Sequence, residues 1–116
     1  MDRQREHHIL MAHFAQINDF KIVMQVLVVS NEVIGDLPVP ESEGGGIAFL
    51  KMLYGDDTVW VQTSYNNNFR YNYAGIDYIF NESIGPYGAF IAPQPDILWQ
   101  LDPTTLQWNP PEEENK

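Results

Sequence analysis

Residues 58–65, TVWVQTSY, divide into two faces with a period of two: Val59, Val61 and Thr63 on one side, Trp60 and Gln62 on the other. That spacing is the signature of a β-strand. The longest apolar run, residues 22–29, has eight residues and is interrupted by Gln25. Gly, Pro, Asn and Asp punctuate the remainder, so the chain is restricted to short strands and short helices. A membrane-spanning helix, which needs about 20 apolar residues, is excluded.

The other elements follow from local pattern. Residues 11–29 read as a β-hairpin that turns at Asn18-Asp19, whose side chains can bond the nearby backbone. Its second arm, KIVMQVLVV, is apolar on both faces and is expected to be a central strand covered on each side, with Val26 or Val28 deeply buried. Ser42 is placed to cap a helix over about residues 46–54, with Glu43 in its first turn. Ile47, Leu50 and Tyr54 mark its apolar stripe, and Gly55 is expected as a left-handed terminator. Asn66, Asn67 and Asn68 form a polar loop. Residues 76–80 and 89–92 read as strands, and residues 97–108 as a hairpin turning at Asp102-Pro103. The expected class is α+β: a small, mostly antiparallel domain of about six short strands and one short helix. It spans residues 11–109, between a polar N-terminal extension, residues 1–10, and an acidic tail, residues 110–116. MAHFAQI at Met11 has the look of a natural start, and MDRQREHHIL lacks the apolar stretch of a secretory leader.

Charge limits the partners. Six Lys/Arg against sixteen Asp/Glu leave a net charge of −10 in 116 residues. Residues 1–10 balance to zero and Glu112, Glu113, Glu114 and Lys116 contribute −2, so −8 lies on the folded part. Such a chain repels phosphate backbones and anionic membranes, and neither nucleic acid nor membrane is an expected partner. With 13% aromatic residues the chain is too apolar to be an acidic disordered segment. The absence of cysteine excludes disulfides, thiolate zinc sites, iron–sulfur clusters and a cysteine nucleophile.

No catalytic constellation emerges. His7, His8 and His13 lack ligand spacing with any other donor. Glu41/Glu43 and Asp56/Asp57 sit where helix starts and turns favour acids. The serines lack a G-x-S-x-G setting, and Gly44-Gly45-Gly46 lacks the lysine of a phosphate loop. No enzymatic activity, metal or cofactor is expected.

Residues 60–78, WVQTSYNNNFRYNYAGIDY, are the most distinctive stretch. Arg70 is the only basic residue between Lys51 and Lys116 and stands among Tyr65, Phe69, Tyr71 and Tyr73. A guanidinium there serves either to recognise a sugar or a partner's acidic group, or to fasten an irregular loop to its own domain. Asp56, Asp57, Asp77 and the rings of Tyr71 and Tyr73 are its candidate partners within the chain. Trp60, Trp99 and Trp108 suit either a sugar platform or hairpin packing. Arg70, Tyr71, Tyr73, Trp99 and Trp108 are thus the candidate partner-binding residues.

Three stretches, MAHFAQINDFKIVMQVLVV, WVQTSYNNNFRYNYAGIDY and LWQLDPTTLQW, resemble a family of small proteins of marine and cyanobacterial tailed bacteriophages. The resemblance runs through most of residues 11–108. The family brings no catalytic residues. It implies a phage origin and a structural role in the virion, with other virion proteins as partners, above all the major capsid protein, and with self-association as a further possibility. A capsid accessory protein of the decoration or cement type is the expected function. A tail, neck or fibre accessory is the same class elsewhere on the particle. A carbohydrate-binding module using Trp99, Trp108, Tyr71 and Tyr73 with Asn66, Asn67 and Asn68 is the alternative of a different class, and a small carboxylate-pair hydrolase the remotest.

Overall fold

The computed structural model describes residues 11–112. The extension over residues 1–10, with His7 and His8, and most of the acidic tail lie outside them. Along the chain run β1 (Met11–Ile17), β2 (Val23–Ser30), a single-turn α1 (Asn31–Ile34), α2 (Glu43–Tyr54), β3 (Val59–Thr63), β4 (Ile79–Asn81), β5 (Ala89–Ile91), β6 (Gln100–Leu101) and β7 (Trp108–Asn109). Every strand pairing is antiparallel, and the fold is α+β.

The sheet that organises the molecule has the order β2-β1-β3. Cross-strand pairs set its two faces. Phe14 pairs with Leu27 on β2 and Gln62 on β3, whereas Ala15 pairs with Val26 and Val61. The first face packs Ala12, Phe14, Val29 and Trp60 against Ile34 of α1 and Leu50 of α2. The second packs Ala15, Ile17, Val23 and Val61 against Ala74, Phe80 and Phe90 of the β4–β5 layer. Two cores thus share one sheet, helices covering one side and a short hairpin the other.

The central strand is β1, and this corrects the expectation that the more apolar β2 would lie in the middle. Ala12 and Ala15, 7% and 0% exposed, let the layers close tightly on β1. β2 lies at the edge. Its Val23 and Val29 are buried, Val26 is only half-buried, and Val28 is 51% exposed. Density of apolar residues marked β2 as a strand, but it did not distinguish burial beneath a layer from burial between two neighbouring strands.

α2 begins at Glu43, earlier than the apolar stripe suggests, and includes all three glycines. One of them, Gly46, is required by packing: a Cβ there would overlap the Phe14 ring, so helix and sheet meet without a side chain between them. Ser42 occupies the N-cap position but makes no side-chain cap; its Oγ accepts from Gln62 Nε2 at 2.9 Å. Gly55 has a φ of 120° but is not left-handed helical. The strand expected over residues 76–80 shrinks to β4, because Ile76 is exposed and Asp77 turns the chain with a φ of 75°. The C-terminal hairpin β6–β7 forms as expected, with Asp102 Oδ1 accepting from the Thr104 and Thr105 amides.

Candidate functional site

Arg70 is a hub of internal bonds. Its Nη1 donates to Glu43 Oε2 at 2.6 Å and to the Gln62 carbonyl at 2.9 Å, and its Nη2 to Glu43 Oε1 at 3.2 Å. Its Nε donates to the Tyr87 carbonyl at 2.7 Å. The guanidinium carbon sits 4.6 Å from the Phe69 ring centre and 5.3 Å from that of Phe80. Only 10% of the side chain is exposed. The partner is therefore Glu43, 27 residues upstream, rather than Asp56, Asp57 or Asp77. Arg70 and Tyr71 both take positive φ, 61° and 70°, which aims the Arg70 carbonyl at the Phe90 amide, 3.1 Å away. One side chain joins α2, β3 and the loop before β5, using every face of a planar fork.

The other four candidates fall in three places. Tyr71, 39% exposed, lines a shallow groove of about 260 Å³ with Phe69, Arg70, Pro86 and Tyr87. Trp99 and Trp108 come together, both half-buried, in a groove of about 270 Å³ with Tyr78, Pro93, Pro95 and Leu106. Trp108 Nε1 donates to the Ala92 carbonyl at 2.7 Å, and Asn72 Nδ2 bonds the carbonyls of Phe90 and Leu106. These bonds fasten the C-terminal hairpin to the segment around β5, and Trp108 takes part in them directly. Trp60, 3% exposed, belongs to the core.

Tyr73 joins a third place with two residues that sequence reading missed, His13 and Tyr65. The His13 ring stacks on Tyr65 with centres 5.9 Å apart and meets Tyr73 edge-on at 5.5 Å. The β1–β3 register is the source: His13 pairs with Thr63, and Tyr65 follows two residues later. Burial holds the His13 pKa below the usual histidine value. It also raises that of the Tyr73 phenol, with the neighbouring Tyr65 phenol adding to the effect.

This cluster borders a groove of about 390 Å³ lined mostly by polar residues. Its lining includes Asp36, Pro38, Ser42, Gln62, Tyr65, Asn66 and Asn68. Gln62 is 1% exposed, and its Oε1 has no hydrogen-bond partner among the described residues. Among the described residues no lysine or arginine lines the groove, and its polar groups are amides, hydroxyls, the His13 imidazole and the Asp36 carboxylate, beside the Tyr65 ring. Among the described residues, no group of three or more metal-ligating side chains comes together.

No protein-family model, curated protein or solved structure matches the chain.

Proposed function

We propose that the chain is a non-enzymatic structural protein of a tailed-phage virion, a capsid accessory of the decoration or cement type that docks on other virion subunits. The assignment to a virion rests on the resemblance carried by residues 11–29, 60–78 and 98–108. The observation that carries the docking role is the exposure of large apolar side chains in two separate stretches of the chain. Met52, Leu53 and Tyr54, 70%, 56% and 51% exposed, end α2, while Ile97 and Leu98 stand 83% and 65% exposed before β6. Exposed large apolar groups are the side chains that contact surfaces bury. The net charge of −10 keeps copies bound to one particle apart.

The test is reconstitution: purified chain is added to particles from a phage deleted for its gene, and bound chain is measured after sedimentation. Saturable binding weakened by Leu53→Asp is the expected result; absence of binding by the parent chain would reject the reading.

A second reading, binding of a neutral glycan, is favoured by the groove at Tyr65, Asn66 and Asn68, which pairs an aromatic face with amides and, among the described residues, has no lysine or arginine in its lining. Shifts of the Tyr65 and Asn68 NMR signals on adding neutral oligosaccharides would support it.

A further inference from the structure

The three-stranded sheet has two edges, and the fold treats them differently. On β3 the Gln62 amide donates to Glu43 Oε2 at 2.8 Å and its carbonyl accepts from Arg70 Nη1 at 2.9 Å. Side chains thus occupy this edge at Gln62, where another strand would otherwise pair. On β2 only the beginning is covered. The Val23 amide donates to the Tyr78 carbonyl at 2.8 Å, and the Val23 carbonyl accepts from the Asp77 amide at 2.9 Å.

The register shows which groups face outward beyond that point. Gln62 bonds away from β1, so Phe14–Gln62 is a non-hydrogen-bonded pair and its neighbours Ala15–Val61 and His13–Thr63 are hydrogen-bonded pairs. Ala15 and His13 therefore direct their backbone groups toward β3. Their partners on β2 are Val26 and Val28, whose amides and carbonyls must then point away from the sheet. Among the described residues nothing bonds to them.

We propose that this edge pairs with the same edge of a second copy of the chain. The strands run antiparallel about a two-fold axis at Leu27, Val26 facing Val28 of the second copy and the reverse. Four backbone hydrogen bonds then join two sheets into one of six strands.

Two observations favour a second copy over a different protein. The outward residues lie symmetrically about Leu27, as an isologous contact requires, and an axis normal to the sheet keeps the exposed Val28 and half-buried Val26 of both copies on one face. Charge gives the second. A chain of −10 meets itself only where charge is absent, and Val23–Ser30 holds no charged residue. It also has no proline or lysine to block pairing, and its one irregularity, the unpaired Met24, lies next to the covered end. The inference goes beyond the virion reading, since a chain that never enters a particle dimerises by this route all the same.

Analytical ultracentrifugation of the full chain, from low micromolar to near-millimolar concentration, tests it together with amide exchange followed by NMR. The expected result is a mass that doubles with concentration, with the Val26 and Val28 amides gaining protection in parallel. Val28→Lys, at an exposed position, is expected to abolish the doubling while the circular dichroism spectrum is kept; Met24→Lys, 46% exposed in the parent, serves if Val28→Lys does not fold. A monomer throughout, a dimer whose Val26 and Val28 amides exchange freely, or a dimer intact in a folded lysine variant would overturn the proposal.

Discussion

The Glu43 carboxylate and the Arg70 guanidinium meet 2.6 Å apart, and together they bond the amide and the carbonyl of Gln62 on the outer edge of β3. An ion pair stands in for a neighbouring strand. It joins the first turn of α2 to a loop whose backbone is bent by two consecutive positive φ angles, at Arg70 and Tyr71. The pair is largely buried, with 10% and 21% of the two side chains exposed.

Removing one member of such a pair leaves the other buried without compensation, which costs roughly 3–5 kcal/mol. Arg70→Ala is therefore expected to destabilise the isolated domain by an amount near that range. Arg70→Lys loses less, because the charge remains while the fork and the ring contacts go. Chemical denaturation should also show that Glu43→Gln combined with Arg70→Ala costs less than the two separate losses added. Parent-like stability in both Arg70 variants would show that the hub contributes nothing to the fold.

Gly46 and Gly44 occupy the same helix turn and are expected to respond with opposite sign. Helix propensity alone favours alanine over glycine by roughly 1 kcal/mol at either site. At Gly44 a Cβ meets nothing within 4 Å, so Gly44→Ala should raise the melting temperature. At Gly46 the Cβ overlaps the Phe14 ring, and overpacking of about 1–3 kcal/mol outweighs the gain. A higher melting temperature for Gly46→Ala would refute the close contact between α2 and β1.

His13 predicts a pH dependence. Burial lowers its folded pKa below the ordinary value of 6.5, so the unfolded chain takes up the proton first. Its contribution to stability is complete above pH 6.5 and is lost as pH falls from there toward the folded value. Melting temperature followed from about pH 7.5 down to about pH 5.5, where His is the side chain that ordinarily titrates, should decline in the parent. In His13→Gln the decline should be smaller. Equal slopes in the two would remove His13 as the source.

Strand existence was legible where the period was clean, as in residues 59–63, and where turn chemistry was explicit, as at Asn18 and Asp102. Strand position was not. A period of two reports which residues share a face, and β2 has apolar groups on both faces, yet only the pairing of β1 with β3 makes β2 an edge. The site was legible in part. Arg70 stood out as an isolated cation, but nothing near Glu43 marks a bond across 27 residues, because an acid in a first helical turn already has a local reason to be there. Trp99 and Trp108 were named with Trp60 for a sugar platform or hairpin packing, and the hairpin brings those two, without Trp60, into one groove. His13 and Tyr65 were missed because they become neighbours of Tyr73 only through sheet register.

The proposed docking on a phage particle is tested most directly by quantitative mass spectrometry of purified, nuclease-treated particles. The account predicts the chain in fixed stoichiometry with the major capsid protein, in many copies per particle. Its absence from infectious particles, with the chain abundant in the infected cell, would contradict the account.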